Sequence, residues 1–149
     1  MKRNGWGRIV NLSGAGATNA WANLSAYCSS KAAVVRLTEV LALELADTGI
    51  TVNALGPGSV HTRMWDEMTE ASAEAGADLI YETGLRVQAG GGASIERCAD
   101  LAVWLASSET RGLSGRMILA FSDDFESMAP SIPGIMSSEF YTMLRAEPS

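Results

Sequence analysis

The stretch from Ser25 to Gly58 limits the fold of this chain more than any other segment. Residues 25–49 carry a stripe of apolar side chains at helical spacing, and Gly49 is a residue type that commonly ends a helix. The members of the stripe are Val34, Leu37, Val40, Leu41 and Leu45. The next nine residues, ITVNALGPG, begin with β-branched side chains and end in Gly-Pro-Gly, which predicts a buried strand that runs into a loop. A helix that leads directly into a buried strand is typical of α/β proteins.

The remaining segments extend the same pattern. Residues 7–13, GRIVNLS, and residues 115–121, GRMILAF, are short and apolar without clean alternation, which predicts strands buried on both faces of a parallel sheet. Ser94 is expected to cap a helix that begins IERCADLAVWLA, and residues 64–93 are expected to hold short, less regular helices. The predicted fold is therefore α/β, with three parallel strands joined by helical crossovers. Residues 122–149 have no clear period and are expected to form an irregular tail.

Length and charge restrict the possible partners. A chain of 149 residues matches a single domain, and with 47% hydrophobic and 19% charged residues it has enough apolar surface for a core. Its formal net charge of −6 argues against general binding to nucleic acid or to an anionic membrane, and no apolar stretch is long enough to span a bilayer. Two distant cysteines and a single histidine predict neither a disulfide framework nor a metal site. A cytoplasmic protein is expected.

Gly14 and Gly16 follow the first predicted strand and form a Gly-x-Gly pair. A dinucleotide-binding turn needs a third glycine and an acidic residue about twenty positions further on. Here the third glycine position holds Asn19, and the position expected for the acidic residue holds Val34. The turn is therefore a weak signal for phosphate binding, although a small nucleotide-binding module that uses these two glycines stays open.

Tyr27 and Lys31 are four residues apart near the start of the predicted helix, so both side chains project from one face. A lysine ammonium beside a phenol stabilises the phenolate, and a tyrosine with a reference pKa of about 10 needs such help to act as a base near neutral pH. The pair therefore indicates acid–base chemistry. The alternative is that Tyr27 packs at the helix entry while Lys31 is a solvated charge.

The order and spacing of these motifs resemble the second half of the short-chain dehydrogenase/reductase family. The segments that carry the resemblance are GRIVNLSG, SAYCSSKAAVVRLTEVLALEL, ITVNALGPGSVHTRM and SIERCADLAVWLASSETRGLSGRMI, and the resemblance covers about Gly5 to Phe121. Tyr27 and Lys31 match the family's Tyr-x-x-x-Lys motif. The resemblance implies a Rossmann-like parallel sheet with flanking helices, and a Ser, Tyr, Lys set that works with NAD or NADP.

The resemblance also implies roles for individual residues. Tyr27 would act as general acid or base on the oxygen of a small alcohol or carbonyl substrate and would also contact the cofactor, while Lys31 would lower the pKa of Tyr27 and bind the nicotinamide ribose. A serine would orient and polarise the same substrate oxygen. The loop after the second predicted strand would contact the nicotinamide carboxamide or a nearby phosphate through Pro57, Gly58, Val60 and Thr62. Association into a homo-oligomer is expected from the same resemblance.

Two departures from the family pattern lead to further expectations. The family's serine usually stands at the position that is Gly14 here, and Ser13, one residue earlier, is expected to take its role. The alternative is that Ser13 only ends the strand with a backbone hydrogen bond. The family's glycine-rich phosphate turn and first strands have no counterpart, so we expect a truncated chain. In it, residues 1–121 form the C-terminal part of a Rossmann-like domain with its last three strands, and residues 122–149 form its tail.

The missing phosphate turn also motivates a competing hypothesis. In that interpretation the chain is a non-catalytic fragment that acts through association with another chain. Its exposed strand edge and the predicted helix from Tyr27 to Leu45 would then be the surfaces that associate.

Overall fold

The order of strands and helices predicted from the sequence is confirmed by the structure. The computed structural model describes residues 1–144, in which a three-stranded parallel sheet is flanked by helices. A π-helical turn, Val87–Gly91, follows the third helix. The main elements are β1 Gly7–Leu12, α1 Ser25–Glu44, β2 Ile50–Gly56, α2 Arg63–Ala75, α3 Asp78–Arg86, α4 Ile95–Ala106, β3 Met117–Leu119 and α5 Ile132–Met136.

β2 is the central strand and the most buried element of the sheet. Every residue of β2 is buried, and the strand pairs in parallel with β1 on one side and with β3 on the other. The β1 ladder runs from Gly7 opposite Ile50 to Leu12 opposite Leu55. A buried strand needs partners on both sides because unpaired backbone N–H and C=O groups are costly away from water. The sequence ITVNALG, apolar except for Thr51 and Asn53, fits this central place.

Helices cover both faces of the sheet. Leu55 of β2 belongs to a buried cluster with Leu101 of α4, whereas its neighbour Ala54 belongs to a cluster with Val35 of α1. Since successive residues of a strand point to opposite faces, α1 and α4 lie on opposite sides of the sheet. Burial of a leucine such as Leu55 or Leu101 contributes roughly 1.5–3 kcal/mol, so these contacts hold the layers together.

α1 turns a different part of its surface to the sheet than its apolar stripe suggested. Its buried side chains are Val35 and Thr38, while Leu37 and Val40 are 53% and 42% exposed. The Thr38 hydroxyl accepts a hydrogen bond from the Asn11 amide of β1 (2.9 Å), which keeps this polar group inside the interface. Apolar residues surround most of α1, so their spacing alone does not select the buried face. Neither α1 nor any other helix within residues 1–144 is long and apolar enough to cross a membrane.

The local signals for helix ends are confirmed. Gly49, after α1, adopts a left-handed conformation with φ of 70°, which a residue without Cβ reaches at low cost. Ser94 caps α4, since its hydroxyl oxygen accepts a hydrogen bond from the Arg97 backbone N–H (3.1 Å). These caps fix where the chain leaves each helix.

The segment after Phe121 packs more closely than the expected irregular tail. Its described part, residues 122–144, contains α5 and contributes to the core on the α4 side of the sheet. The ring centres of Phe125 and Trp104 are 5.8 Å apart, and the Arg97 guanidinium donates to the Ala120 carbonyl (2.6 Å) and the Asp123 carbonyl (3.1 Å). Its buried side chains are Phe125, Met128, Ile132 and Ile135. Residues 145–149 of the expected tail lie outside the described residues.

The two outer strands of the sheet, β1 and β3, differ in how their free backbone groups are covered. On β3, the Met117 N–H donates to the Tyr141 carbonyl (2.9 Å), and the Leu119 N–H donates to the Asp123 carboxylate (2.7 Å). The outer edge of β1 has no strand partner among residues 1–144. The last described segment of the chain therefore covers one edge and leaves the other accessible.

Asn53 links β2 to the loop before β3. It is 1% exposed, its side-chain amide donates to the Leu113 carbonyl (2.9 Å), and its side-chain oxygen accepts from the Arg116 N–H (3.2 Å). Asn53→Leu leaves both backbone groups without these partners, so we expect the free energy of unfolding to fall by about 2–4 kcal/mol in urea denaturation. The control Asn4→Leu, at an exposed position, should change it by less than about 0.5 kcal/mol. Equal losses in the two variants would contradict this role of Asn53.

Candidate active site

The segments that follow β1 and β2 leave the sheet at the same edge, because the two strands are parallel neighbours. Ser13 and Gly14 follow β1, and residues 57–62 lead from β2 into α2. The first turn of α1, with Tyr27, lies against Gly14 at this edge. Ligand sites of open α/β sheets lie outside the carboxyl ends of the strands, so this edge is where a site is expected.

Tyr27 and Lys31 lie one turn apart on α1, next to the end of β1. The Lys31 ammonium donates a hydrogen bond to the Leu12 carbonyl (3.3 Å), and its nitrogen lies 5.9 Å from the centre of the Tyr27 ring. An ammonium has three N–H donors, so two remain for another partner. The structure therefore brings these two sequence-predicted residues together.

The Tyr27 ring packs against the backbone of the Gly-x-Gly turn. A Cβ added at Gly14 would lie 2.6 Å from the Tyr27 hydroxyl oxygen, and one added at Gly16 would lie 2.7 Å from the ring. Gly14 has φ of 174°, an extended conformation that any residue adopts, so the space occupied by Tyr27 is what disfavours a side chain there. The two glycines make room for the tyrosine.

Trp21 covers the Tyr27 ring. The two rings are parallel, with their centres 6.4 Å apart. Trp21 and Leu24 also pack against the buried Trp65 of α2 and Val87, so the loop before α1 is attached to the α2–α3 pair. No sequence pattern marks this role of Trp21, because a tryptophan on an irregular loop belongs to no periodic repeat.

Burial raises the pKa of Tyr27 above its ordinary value, and the Cys28 thiol beside it adds to the rise. The family resemblance implied that Lys31 would lower this pKa. The difference has a physical cause: the phenol is half-buried under Trp21, and the Lys31 ammonium is bonded to the Leu12 carbonyl. The phenol is therefore protonated at neutral pH.

The structure does not direct Ser13 towards the Tyr27 hydroxyl. Ser13 is 2% exposed, and its hydroxyl donates to the Lys31 carbonyl (3.0 Å) between β1 and α1. The Ser13 N–H donates to the Leu55 carbonyl (2.8 Å), so the residue still follows the strand ladder. Adjacent residues of an extended chain point to opposite sides. Because the serine stands one position before the family's usual place, it points away from Tyr27, and Gly14 faces the tyrosine instead.

The loop residues predicted to contact a cofactor lie after β2. Pro57, Gly58 and Val60 are half-buried and Thr62 is exposed. Gly58 has φ of 80°, a left-handed conformation that favours glycine, and a Cβ there would lie 2.8 Å from the Ala93 Cβ. The Thr62 carbonyl accepts from the first turn of α2, while its hydroxyl makes no capping bond to that helix. The Thr62 hydroxyl therefore remains as a donor at the carboxyl edge of the sheet.

An exposed polar cluster next to Thr62 was not expected from the sequence. His61 Nε2 and Asp66 Oδ1 are 2.9 Å apart, and the Gln88 amide donates to the same oxygen (2.9 Å). The bonds from His61 and then Gln88 lower the pKa of Asp66. Because His61 precedes α2 and Gln88 follows α3, the cluster joins the two ends of this helix pair. Gln88 is 22 residues from Asp66 in the sequence, so no local pattern indicates that contact.

The parallel sheet and the Tyr-x-x-x-Lys pair at its carboxyl edge place the chain in the Rossmann-like class of α/β proteins. A family model described as "Enoyl-(Acyl carrier protein) reductase" matches residues 1–120. The chain belongs to the short-chain dehydrogenase/reductase family.

Individual relatives agree with this membership. D-beta-hydroxybutyrate dehydrogenase of Cupriavidus necator is 35% identical over 123 residues, which are 77% of this chain and 46% of that protein. A solved actinorhodin polyketide ketoreductase with NADPH matches with a TM-score of 0.68 and 30% identity, over 78% of this chain and 46% of that one. The TT0495 protein of Thermus thermophilus matches with a TM-score of 0.65 and 30% identity, over 80% and 48%. The chain spans about half the length of these relatives.

The raised pKa of Tyr27 can be measured by following tyrosine absorbance during an alkaline titration. We expect the signal that disappears in Tyr27→Phe to titrate above the ordinary tyrosine pKa of about 10, and Cys28→Ala to bring it closer to that value. Since the folded pKa lies above the unfolded one, the contribution to stability is present below about pH 10 and is lost as the pH rises through the folded pKa. A Tyr27 signal that titrates below about 10 would contradict the assigned cause.

Proposed function

We propose that this chain is the catalytic part of an oxidoreductase that interconverts an alcohol and a carbonyl by hydride transfer with NAD or NADP. The observation that carries the proposal is the pairing of Tyr27 and Lys31 beside Gly14 at the carboxyl edge of the sheet. Membership of the family supports it, as does the NADPH of the matching ketoreductase structure.

The residues at this edge fit the nicotinamide end of the cofactor. Lys31 keeps two N–H donors after its bond to the Leu12 carbonyl, enough for the two hydroxyls of a ribose. When bound, the nicotinamide supplies or accepts the hydride. The loop residues that would contact its carboxamide or the adjoining phosphate are Pro57, Gly58, Val60 and Thr62.

Tyr27 would transfer the proton that accompanies the hydride. Its raised pKa keeps the phenol protonated at neutral pH, so the phenol can donate this proton to a carbonyl oxygen while the hydride reaches the carbonyl carbon. The product alcohol then holds both hydrogens, and a proton from water restores the phenol. The Lys31 ammonium would stabilise the intervening phenolate. Burial disfavours that phenolate and makes the phenol a weaker acid, so the stabilisation by Lys31 would matter when the proton is donated.

Ser13 would contribute through position. Its bond to the Lys31 carbonyl holds the turn of α1 that carries the lysine. The hydroxyl that other members of the family place at the position of Gly14 is missing, so the Tyr27 hydroxyl would be the side-chain donor to the substrate oxygen. We therefore expect slow turnover of a small alcohol or carbonyl, such as the hydroxy acid named for the Cupriavidus necator relative.

A second candidate function is association with another chain without catalysis. Two surfaces favour it: the outer edge of β1, which has no strand partner in residues 1–144, and the apolar strip of Leu37 and Val40 on α1. A homo-oligomer through either surface is also compatible with catalysis. The two functions must therefore be separated by cofactor binding.

Tyr27→Phe is the first test of the catalytic proposal. We expect reduction of acetoacetate with NADH or NADPH to fall at least about 100-fold, because general acid catalysis contributes roughly 10²–10⁴-fold. The affinity for NAD(P)H, measured by nucleotide fluorescence, should be retained, since Lys31 and the loop after β2 would make most of the cofactor contacts. Tyr81→Phe on α3 is the matched control and should keep its activity.

The same fluorescence titration distinguishes the two functions. Saturable binding of NAD(P)H by the chain supports hydride transfer. A lack of binding, combined with an oligomer that dissociates in Leu37→Asp when followed by sedimentation velocity, supports the association role and contradicts the catalytic one.

Gly14→Ser tests whether the missing hydroxyl limits the reaction. The new Cβ would lie 2.6 Å from the Tyr27 hydroxyl oxygen, so the tyrosine must shift to admit it, and the serine hydroxyl becomes a second donor beside it. We expect kcat to rise by about tenfold or more, since a donor to the reacting oxygen contributes up to about 10²–10³-fold. In the control Gly16→Ser the added atoms meet the ring and not the hydroxyl, so kcat should fall. The same change of kcat in both variants would contradict the assignment of Gly14.

A further inference from the structure

A cavity of about 860 Å³ lies at the amino-terminal edge of the sheet, opposite the edge that carries Tyr27. Its wall includes Arg8 near the start of β1, Ile50 at the start of β2 and Arg116 just before β3. The length of β1 separates the two edges by roughly 20 Å. The cavity is therefore distinct from the proposed nicotinamide site.

Positive charge is concentrated on this cavity. Four of the chain's eleven basic residues line it, although the chain as a whole carries a net charge of −6. Two glutamates, Glu39 and Glu139, also line it, and Glu39 is paired with Arg36 at 2.6 Å. The three other arginines are Arg8, Arg111 and Arg116.

No carboxylate within residues 1–144 neutralises these three arginines. The Arg8 guanidinium donates to the carbonyls of Gly7 (2.8 Å) and Ser107 (3.1 Å), and the Arg116 guanidinium likewise donates only to backbone carbonyls. Among the described residues, buried Arg116 Nε has no partner, and the Arg111 side chain forms no hydrogen bond or ion pair. Burial and then the charge of Arg111 lower the pKa of Arg8, as expected for cations without a counter-ion.

Apolar side chains stand next to this charge and are open to solvent. Leu43 of α1 is 79% exposed, and Leu144 and Met136 are also exposed, although all three line the cavity. Exposed large apolar side chains grouped together commonly mark a binding surface. A ligand that contacts both the arginines and these apolar side chains must carry an anionic group and an aliphatic part.

We propose that this cavity binds a small amphipathic anion, an alkyl chain that ends in a carboxylate or a phosphate. The anionic group meets Arg111 and Arg8, and the alkyl chain covers Leu43 and Met136. The volume suits such a ligand, since small-molecule sites measure about 300–1,000 Å³. The guanidinium groups supply paired N–H donors to either head group.

Isothermal titration with sodium octanoate tests this site on the full chain. We expect saturable binding of octanoate, with 1-octanol and inorganic phosphate each binding at least about tenfold more weakly, because each lacks one of the two features. Octyl phosphate in place of octanoate shows which anionic head group is preferred. Equal affinity for octanoate and 1-octanol, or for octanoate and inorganic phosphate, would overturn the proposal.

Arg111→Gln is the decisive variant, because the side chain makes no hydrogen bond or ion pair to residues 1–144 whose loss would unfold the protein. We expect it to weaken octanoate binding about tenfold or more, whereas the control Arg63→Gln, an exposed arginine on α2, leaves the affinity unchanged. Leu43→Ala should also weaken binding, and Leu79→Ala, an exposed leucine on α3, should not. If Arg111→Gln changes only the melting temperature and leaves octanoate affinity intact, the arginines serve the fold and the proposed site is wrong.

Discussion

The burial of β2 is the constraint on which the rest of this structure depends. A strand covered on both faces and paired at both edges can be satisfied only by two neighbouring strands and by helices above and below. β1, β3, α1 and α4 meet these needs, and their parallel direction follows from the helical crossovers. The same arrangement brings the ends of β1 and β2 to the first turn of α1. The packing of the core therefore also positions the candidate active site.

The sequence predicts those parts of the fold that depend on local patterns. The helix from Ser25, the buried strand from Ile50 and the cap at Ser94 all follow from residues close in the chain. The orientation of α1 does not, because apolar residues surround most of the helix and tertiary contacts select Val35 and Thr38. The packing of residues 122–144 depends on distant partners on α4, and a segment without a period gives no sign of such contacts.

Local sequence patterns are equally limited in what they predict for the side chains of the candidate site. The spacing of Tyr27 and Lys31 predicts their shared face, since a helix fixes the relation between residues four apart. Successive side chains of an extended chain point in opposite directions. Ser13 therefore points into the interface between β1 and α1, whereas a side chain at position 14 would point to the open carboxyl edge of the sheet. The raised pKa of Tyr27 depends first on burial, and the contacts that bury the ring, such as the one with Trp21, have no fixed distance from the tyrosine in sequence.

The unequal edges of the sheet restrict how copies of this chain could assemble. A head-to-tail array would join β1 of one copy to β3 of the next and could continue without end. The Tyr141 carbonyl and the Asp123 carboxylate already occupy two N–H groups of β3, so that junction is blocked. The strand pairing that remains open is β1 against β1, a two-fold contact that uses the outer edges of both β1 strands at once. Because the edge of β3 is covered, strand pairing between copies of this chain would give a closed dimer and not a fibre.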